Sequence, residues 1–152
     1  MPSKSIDFLF SLLTLSAVGM ILTASINSYC GSLKASSEDK ELESLLENMR
    51  SEVLYALLIL SEDNATLTLD IKMPPKIGDK YYWIRMSNDS SSAWIEGGFG
   101  ISETAEYRCR VYLPRNIRVS GIFESQYATA RLVCYLSDST PTVILGGSKN
   151  ET

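Results

Sequence analysis

The chain has 152 residues, a net charge of −4 and no histidine. That length holds one anchor and one small domain, since single domains commonly run ~100–150 residues, and it leaves no room for a second, catalytic one. Lys and Arg are dispersed among Asp and Glu, so nothing is built to track a phosphate backbone and nucleic acid is not an expected partner.

The missing histidine removes the commonest general base near neutral pH and the commonest transition-metal ligand. The three cysteines, Cys30, Cys109 and Cys134, are too few and too widely spaced for a zinc cage. No enzyme, cofactor or metal is therefore expected. A hydrolase working through carboxylates is the weakest alternative, because no acid pair stands at a spacing that forces two carboxylates together.

The first element runs from Ile6 to Ile26. Within it, Phe8 to Ile26 carries no charge, proline or amide. About 20 mainly apolar residues suffice to cross a bilayer, and the interspersed Ser and Thr hydroxyls can bond back to the preceding turn. A buried core helix would show a polar face, and none exists at 100° per residue. A cleaved secretory signal has a shorter apolar core, and a lipoprotein reading is weakened by the bulky Tyr29 before Cys30. The segment reads as a single membrane span. Lys4 precedes it and the acids Glu38, Asp39, Glu41, Glu43 and Glu47 follow, so the C-terminal domain is expected outside. Sequons at Asn64, Asn88 and Asn150 agree with that side as glycosylation sites.

At its inner edge the stretch Ser3-Lys4-Ser5-Ile6-Asp7-Phe8-Leu9-Phe10-Ser11-Leu12 resembles the N-termini of archaeal type IV pilin-like proteins, which carry a class III signal peptide. The likeness covers about 25 residues. It implies a short leader, residues 1–5, removed by a prepilin peptidase on the cytoplasmic side. Lys4, Ser5 and Ile6 would form the processing site, and the helix would stay on the mature protein for membrane anchoring or filament assembly. Asp7 and Phe8 would then serve assembly: a carboxylate in an apolar setting is costly unless paired, and a new α-amine would pair it. The alternative for Asp7 is an ordinary first-turn acid favoured by the helix dipole. The leader is short and no Gly stands at the usual cut, so either the cut falls after Ser5 or the true leader is missing or uncut.

After the span (residues 6–29), Gly31-Ser32 and Ser36-Ser37 read as a small polar hinge. From Glu38 to Leu60, Leu42, Leu45, Leu46, Met49, Val53, Ala56, Leu57 and Leu60 recur at helical spacing. This predicts an amphipathic helix, started by Ser36 or Ser37 with Glu38 and Asp39, within a segment spanning 30–61. Its stripe is expected to pack on the following sheet, with a subunit contact as the alternative.

From residue 64 to 146 the period becomes two. Leu67, Leu69, Ile71 and Met73 alternate with polar residues, and Pro74-Pro75 ends the run. Further strands are expected at 80–86, 93–99, 106–113, 117–123, 127–136 and 142–145, with residues 147–152 a tail. Gly97-Gly98 and Gly100 read as a bulge or tight turn. The fold class is α+β: a long hydrophobic helix, an amphipathic helix, then a mainly antiparallel sheet or small sandwich, as in pilin-like proteins.

Cys109 and Cys134 both lie on apolar strand faces. A disulfide between them is expected in an oxidising compartment, with buried free thiols as the alternative. The exposed strand faces should carry Tyr81, Trp83, Arg85, Arg108, Arg110, Tyr112, Arg131 and Tyr135. Aromatic and Arg residues are enriched at interface centres, so these form a recognition patch for another subunit or a glycan, unless they only pair across strands. The favoured function is a type IV pilin-like surface subunit partnered by the membrane, by like subunits or envelope proteins, and by a prepilin peptidase. The alternative is a single-span accessory subunit that does not polymerise.

Overall fold

A computed structural model describes residues 3–63, 66–100, 109–127 and 129–148. The chain forms two compact units, Met1–Ser37 and Glu38–Thr152. The architecture is α+β: a long helix followed by seven strands in one sheet.

Helix α1 spans Ser3–Asp63, so the two helices expected from periodicity are one. Gly31-Ser32 and Ser36-Ser37 are helical, and the helix has no start at Ser36 or Ser37. A mid-helix Gly costs only ~1 kcal/mol relative to Ala, and Ser32 returns its hydroxyl to the Ser28 carbonyl at 3.2 Å. In the first unit, Thr14, Ser16, Thr23 and Ser25 likewise donate to carbonyls four residues back, at 2.8–2.9 Å. These five hydroxyls are thus satisfied within their own helix.

In the second unit the strands are β1 (Leu67–Lys72), β2 (Tyr82–Asn88), β3 (Ala93–Phe99), β4 (Cys109–Leu113), β5 (Arg118–Glu124), β6 (Thr129–Ser137) and β7 (Thr140–Ser148), with a 3₁₀ turn at Ser125–Tyr127. Their spatial order is β1-β6-β7-β5-β2-β3-β4. All neighbours are antiparallel except β5 and β7, which run parallel from Arg118↔Thr142 to Gly121↔Leu145. The sandwich alternative is not realised, because one helix and one sheet suffice to enclose the core.

That core lies between the sheet and the second half of α1. Leu42, Leu46, Met49, Val53, Ala56 and Leu60 are buried there against Tyr82, Ile84, Ile95, Phe123, Leu132, Val143 and Leu145. Gly97 and Gly98 lie in regular register opposite Ile84 and Trp83, so they make no bulge. Gly97 instead admits the helix: a Cβ there would come within 3.3–3.4 Å of the Leu46 and Leu42 side chains. Gly100, at φ +92°, does make the bend, and its N–H donates to the Tyr81 carbonyl at 3.0 Å.

Candidate functional site

The face of the sheet opposite α1 gathers most of the chemistry of the second unit. The β2–β3 hairpin places Arg85 opposite Glu96, and the β3–β4 pairing places Glu96 opposite Arg110. The register follows from the turn, where the Asp89 carboxylate accepts the N–H groups of Ser91 and Ser92, both at 2.7 Å. Those two bonds hold the Asp89 carboxyl below its ordinary range.

Glu96 is buried between its two arginines. Its Oε1 accepts from Arg85 Nε at 2.8 Å, and its Oε2 from Arg110 at 2.9 Å and Trp94 Nε1 at 3.2 Å. Burial pushes its carboxyl upward, but the Arg85 and Arg110 hydrogen bonds outweigh that, so it titrates below its ordinary value. The two guanidinium groups also stack, Arg85 at 5.2 Å from the Trp83 ring centroid and Arg110 at 4.8 Å from that of Trp94. Toward the other edge of the sheet, Arg131 grips Asp70 in a bidentate pair at 2.7 and 3.1 Å, and that hydrogen bonding lowers the Asp70 carboxyl.

Of the expected patch, Tyr81, Arg85, Arg110, Tyr112 and Arg131 are exposed and Tyr135 is half-buried. Arg108 lies outside the described residues. Trp83 is a correction: it is fully buried, because β2 is a central strand and Arg85 lies across its ring. Its indole N–H has no partner among the described residues. Glu96, the hub of the patch, was not singled out by sequence reasoning. The alternation of β3 already placed it on the same face as Trp94.

Cys109 and Cys134 form no disulfide, and all three cysteines are free thiols. Both do face the core, yet β6 and β4 are separated in the sheet by β7, β5, β2 and β3. Five spacings of ~4.8 Å put them roughly 24 Å apart, where a disulfide needs Cα atoms within ~7 Å. Burial pushes each thiol up to about 11, and for Cys109 the nearby carboxylates of Glu43 and Asp39 add to it.

A second buried acid, Glu38, sits where the helix start was expected. Its Oε2 pairs with Lys80 Nζ at 2.5 Å, on the turn closed by the Ile77–Lys80 bridge. Gly78 at φ +58° makes room for it, since a Cβ there would lie 2.6 Å from Glu38 Oε1. Among the described residues no group of His, Cys, Asp and Glu is arranged to hold a metal ion.

In the first unit, Lys4, Ser5, Ile6, Asp7 and Phe8 are helical and exposed. The apolar window of α1 is long enough to cross a membrane and none of it is buried, which is compatible with a single-pass anchor. Of the sequons, Asn88 ends β2 and is exposed, its Oδ1 accepting from the Val119 N–H at 3.3 Å. Asn64 and Asn150 lie outside the described residues. No family model, curated protein or solved structure matches this chain.

Proposed function

We propose that the chain is a type IV pilin-like cell-surface subunit. It is anchored in the membrane, or assembled in an extracellular filament, through the first part of α1, and its sheet domain faces outward for protein or surface contacts. The observation that carries this reading is the double character of one helix. Residues 42–60 bury one apolar stripe against the sheet, while the run from Phe8 to Ile26 has no charged side and is exposed. A mainly apolar surface of that length requires lipid or other copies to cover it.

The processing site would be Lys4-Ser5-Ile6. Removal of residues 1–5 would leave the α-amine of Ile6 beside the Asp7 carboxylate of its own or a neighbouring chain, pairing a charge that an apolar environment otherwise penalises. The enzyme needed is a prepilin peptidase acting at the cytoplasmic face, with Lys4 retained on that side.

Mass spectrometry of the N-terminus, on protein expressed with its processing peptidase, tests this directly. A mature chain beginning at Ile6 is expected, and Asp7→Ala should abolish filaments while the monomer remains inserted. Membrane-bound protein that uniformly begins at Met1 sinks the pilin-like reading and leaves a plain single-span accessory subunit.

A further inference from the structure

The unit Glu38–Thr152 has two broad exposed faces with opposite chemistry. The first is the side of α1 turned away from the sheet. Leu54, Tyr55 and Leu58 are 39, 58 and 62% exposed there. At 100° per residue Glu47, Ser51, Leu54 and Leu58 fall in one strip, with Tyr55 beside it. Near this centre stand Glu52 and Glu47, the latter paired with the half-buried Arg50 at 3.3 Å, and the exposed helix surface stays acidic over the turns toward its N-terminal side, where Asp39, Glu41 and Glu43 stand against Lys40.

The second is the outer face of the sheet. Ile144 on β7 is 38% exposed, and Ile122 on the adjacent β5 is 39% exposed. Because Ser120 lies opposite Ile144, Ile122 and Arg118 flank it on the two diagonals. Around this centre stand Arg85, Arg118 and Arg131. Of the acids of the same face, Asp70 is held by Arg131 and Glu96 by Arg85 and Arg110, while Glu124, two residues along β5 from Ile122, accepts from the Gln126 amide at 2.5 Å. Among the described residues Arg118 has no ion pair.

We propose that the acidic side of α1, centred on Leu54, Tyr55 and Leu58, docks on the basic outer sheet face, centred on Ile122 and Ile144, of a second copy of this chain. The inference rests on the filament-subunit reading and names the contact between outer domains. An apolar centre within a charged rim is the usual anatomy of an interface. Charge decides which face meets which: helix on helix sets acid against acid, and sheet on sheet sets Arg against Arg, whereas helix on sheet joins opposite signs. The two patches differ, so each docked pair leaves one of each uncovered. Such a contact adds copies in a row and does not stop at a two-fold dimer.

The test uses the full chain, expressed with its processing peptidase, with a benzoylphenylalanine photocrosslinker at position 144. Irradiation is expected to give an adduct of two copies in which the crosslink maps to the tryptic peptide 51–72. The reciprocal probe at position 55 should map to peptide 119–131 or 132–149. Arg118→Glu should lower the adduct yield about tenfold, and Arg118→Glu combined with Glu47→Arg should restore it, which a merely misfolded variant would not do. Adducts joining position 144 to the second copy's own sheet, or to other proteins only, overturn the proposal. So does the absence of any adduct on chains that begin at Ile6 and form filaments, a result that leaves the filament reading standing. The 51–72 adduct on chains with an intact Met1 supports the docking and rejects that reading.

Discussion

A carboxylate as enclosed as that of Glu96 is strongly destabilising unless donors surround it, and Arg85, Arg110 and Trp94 all reach it. Its folded-state carboxyl titrates below the ordinary ~4.3 of an unfolded chain. The stabilisation is therefore fully present above that value and lost as pH falls through the lower, folded one. Glu96→Gln should lower stability at pH 7 by about 2 kcal/mol, less than for a fully buried pair because both arginines are partly exposed. Thermal melts in detergent should show the gap between wild type and variant closing below about pH 4. A gap unchanged between pH 7 and pH 3.5 would show that the ion network is not its source. The alternation of AWIEGGF already places Glu96 beside Trp94 on one face. What it lacks is the partner across the strand, since the run Ser87 to Ser92 admits several turn centres, and shifting the centre changes which residue opposes Glu96. The cysteines show the same limit: an inward face was legible at Cys134, but the lateral distance across the sheet to Cys109 is set by strand order, which no local pattern encodes.

Strands joined by short polar turns are the elements that period-two alternation finds best, and β3 falls on the expected 93–99. The parallel pairing of β5 with β7 was not legible. Nothing local distinguishes a strand with one parallel neighbour, and β7 outruns its expected four residues by continuing through Pro141 and Gly146-Gly147. The helix break expected at Gly31 to Ser37 is absent for a related reason: local Gly and Ser preferences are weak against the continuation of α1 on both sides. The junction of β2, β5 and β7 does leave a mark in the sequence, at Gly121. Its φ is +114°, and an added Cβ would lie 2.0 Å from the Leu145 carbonyl oxygen of the parallel neighbour. Gly121→Ala should cost about 3 kcal/mol or more, through strain and displacement of a central ladder. Gly146→Ala is the matched control, since a Cβ there meets nothing within 4 Å. Denaturant midpoints should separate the two variants widely, and similar midpoints would mean that β5 and β7 pair differently.

On the scale of the whole molecule, the distribution of apolar surface was the most legible feature, because it depends on composition and not on register. The run from Ile6 to Ile26 exposes Phe8, Phe10, Leu15, Met20 and Ile21 together, and at about 25 cal/mol per Å² of apolar surface a cover of lipid or protein is strongly favoured. The full chain should therefore stay with membranes or large assemblies through alkaline carbonate and high salt, and come into solution only with detergent. Deleting residues 1–37 removes the first unit and leaves the second, whose core draws only on residues from Leu42 onward. That truncated chain should be soluble without detergent and melt cooperatively. Full-length protein soluble in plain buffer as a monomer would defeat the requirement for a cover. Mechanical shearing then separates the two kinds of cover: helices packed against other copies leave with the sheared filaments, whereas helices held by lipid stay with the membrane pellet, and only detergent releases either as single chains.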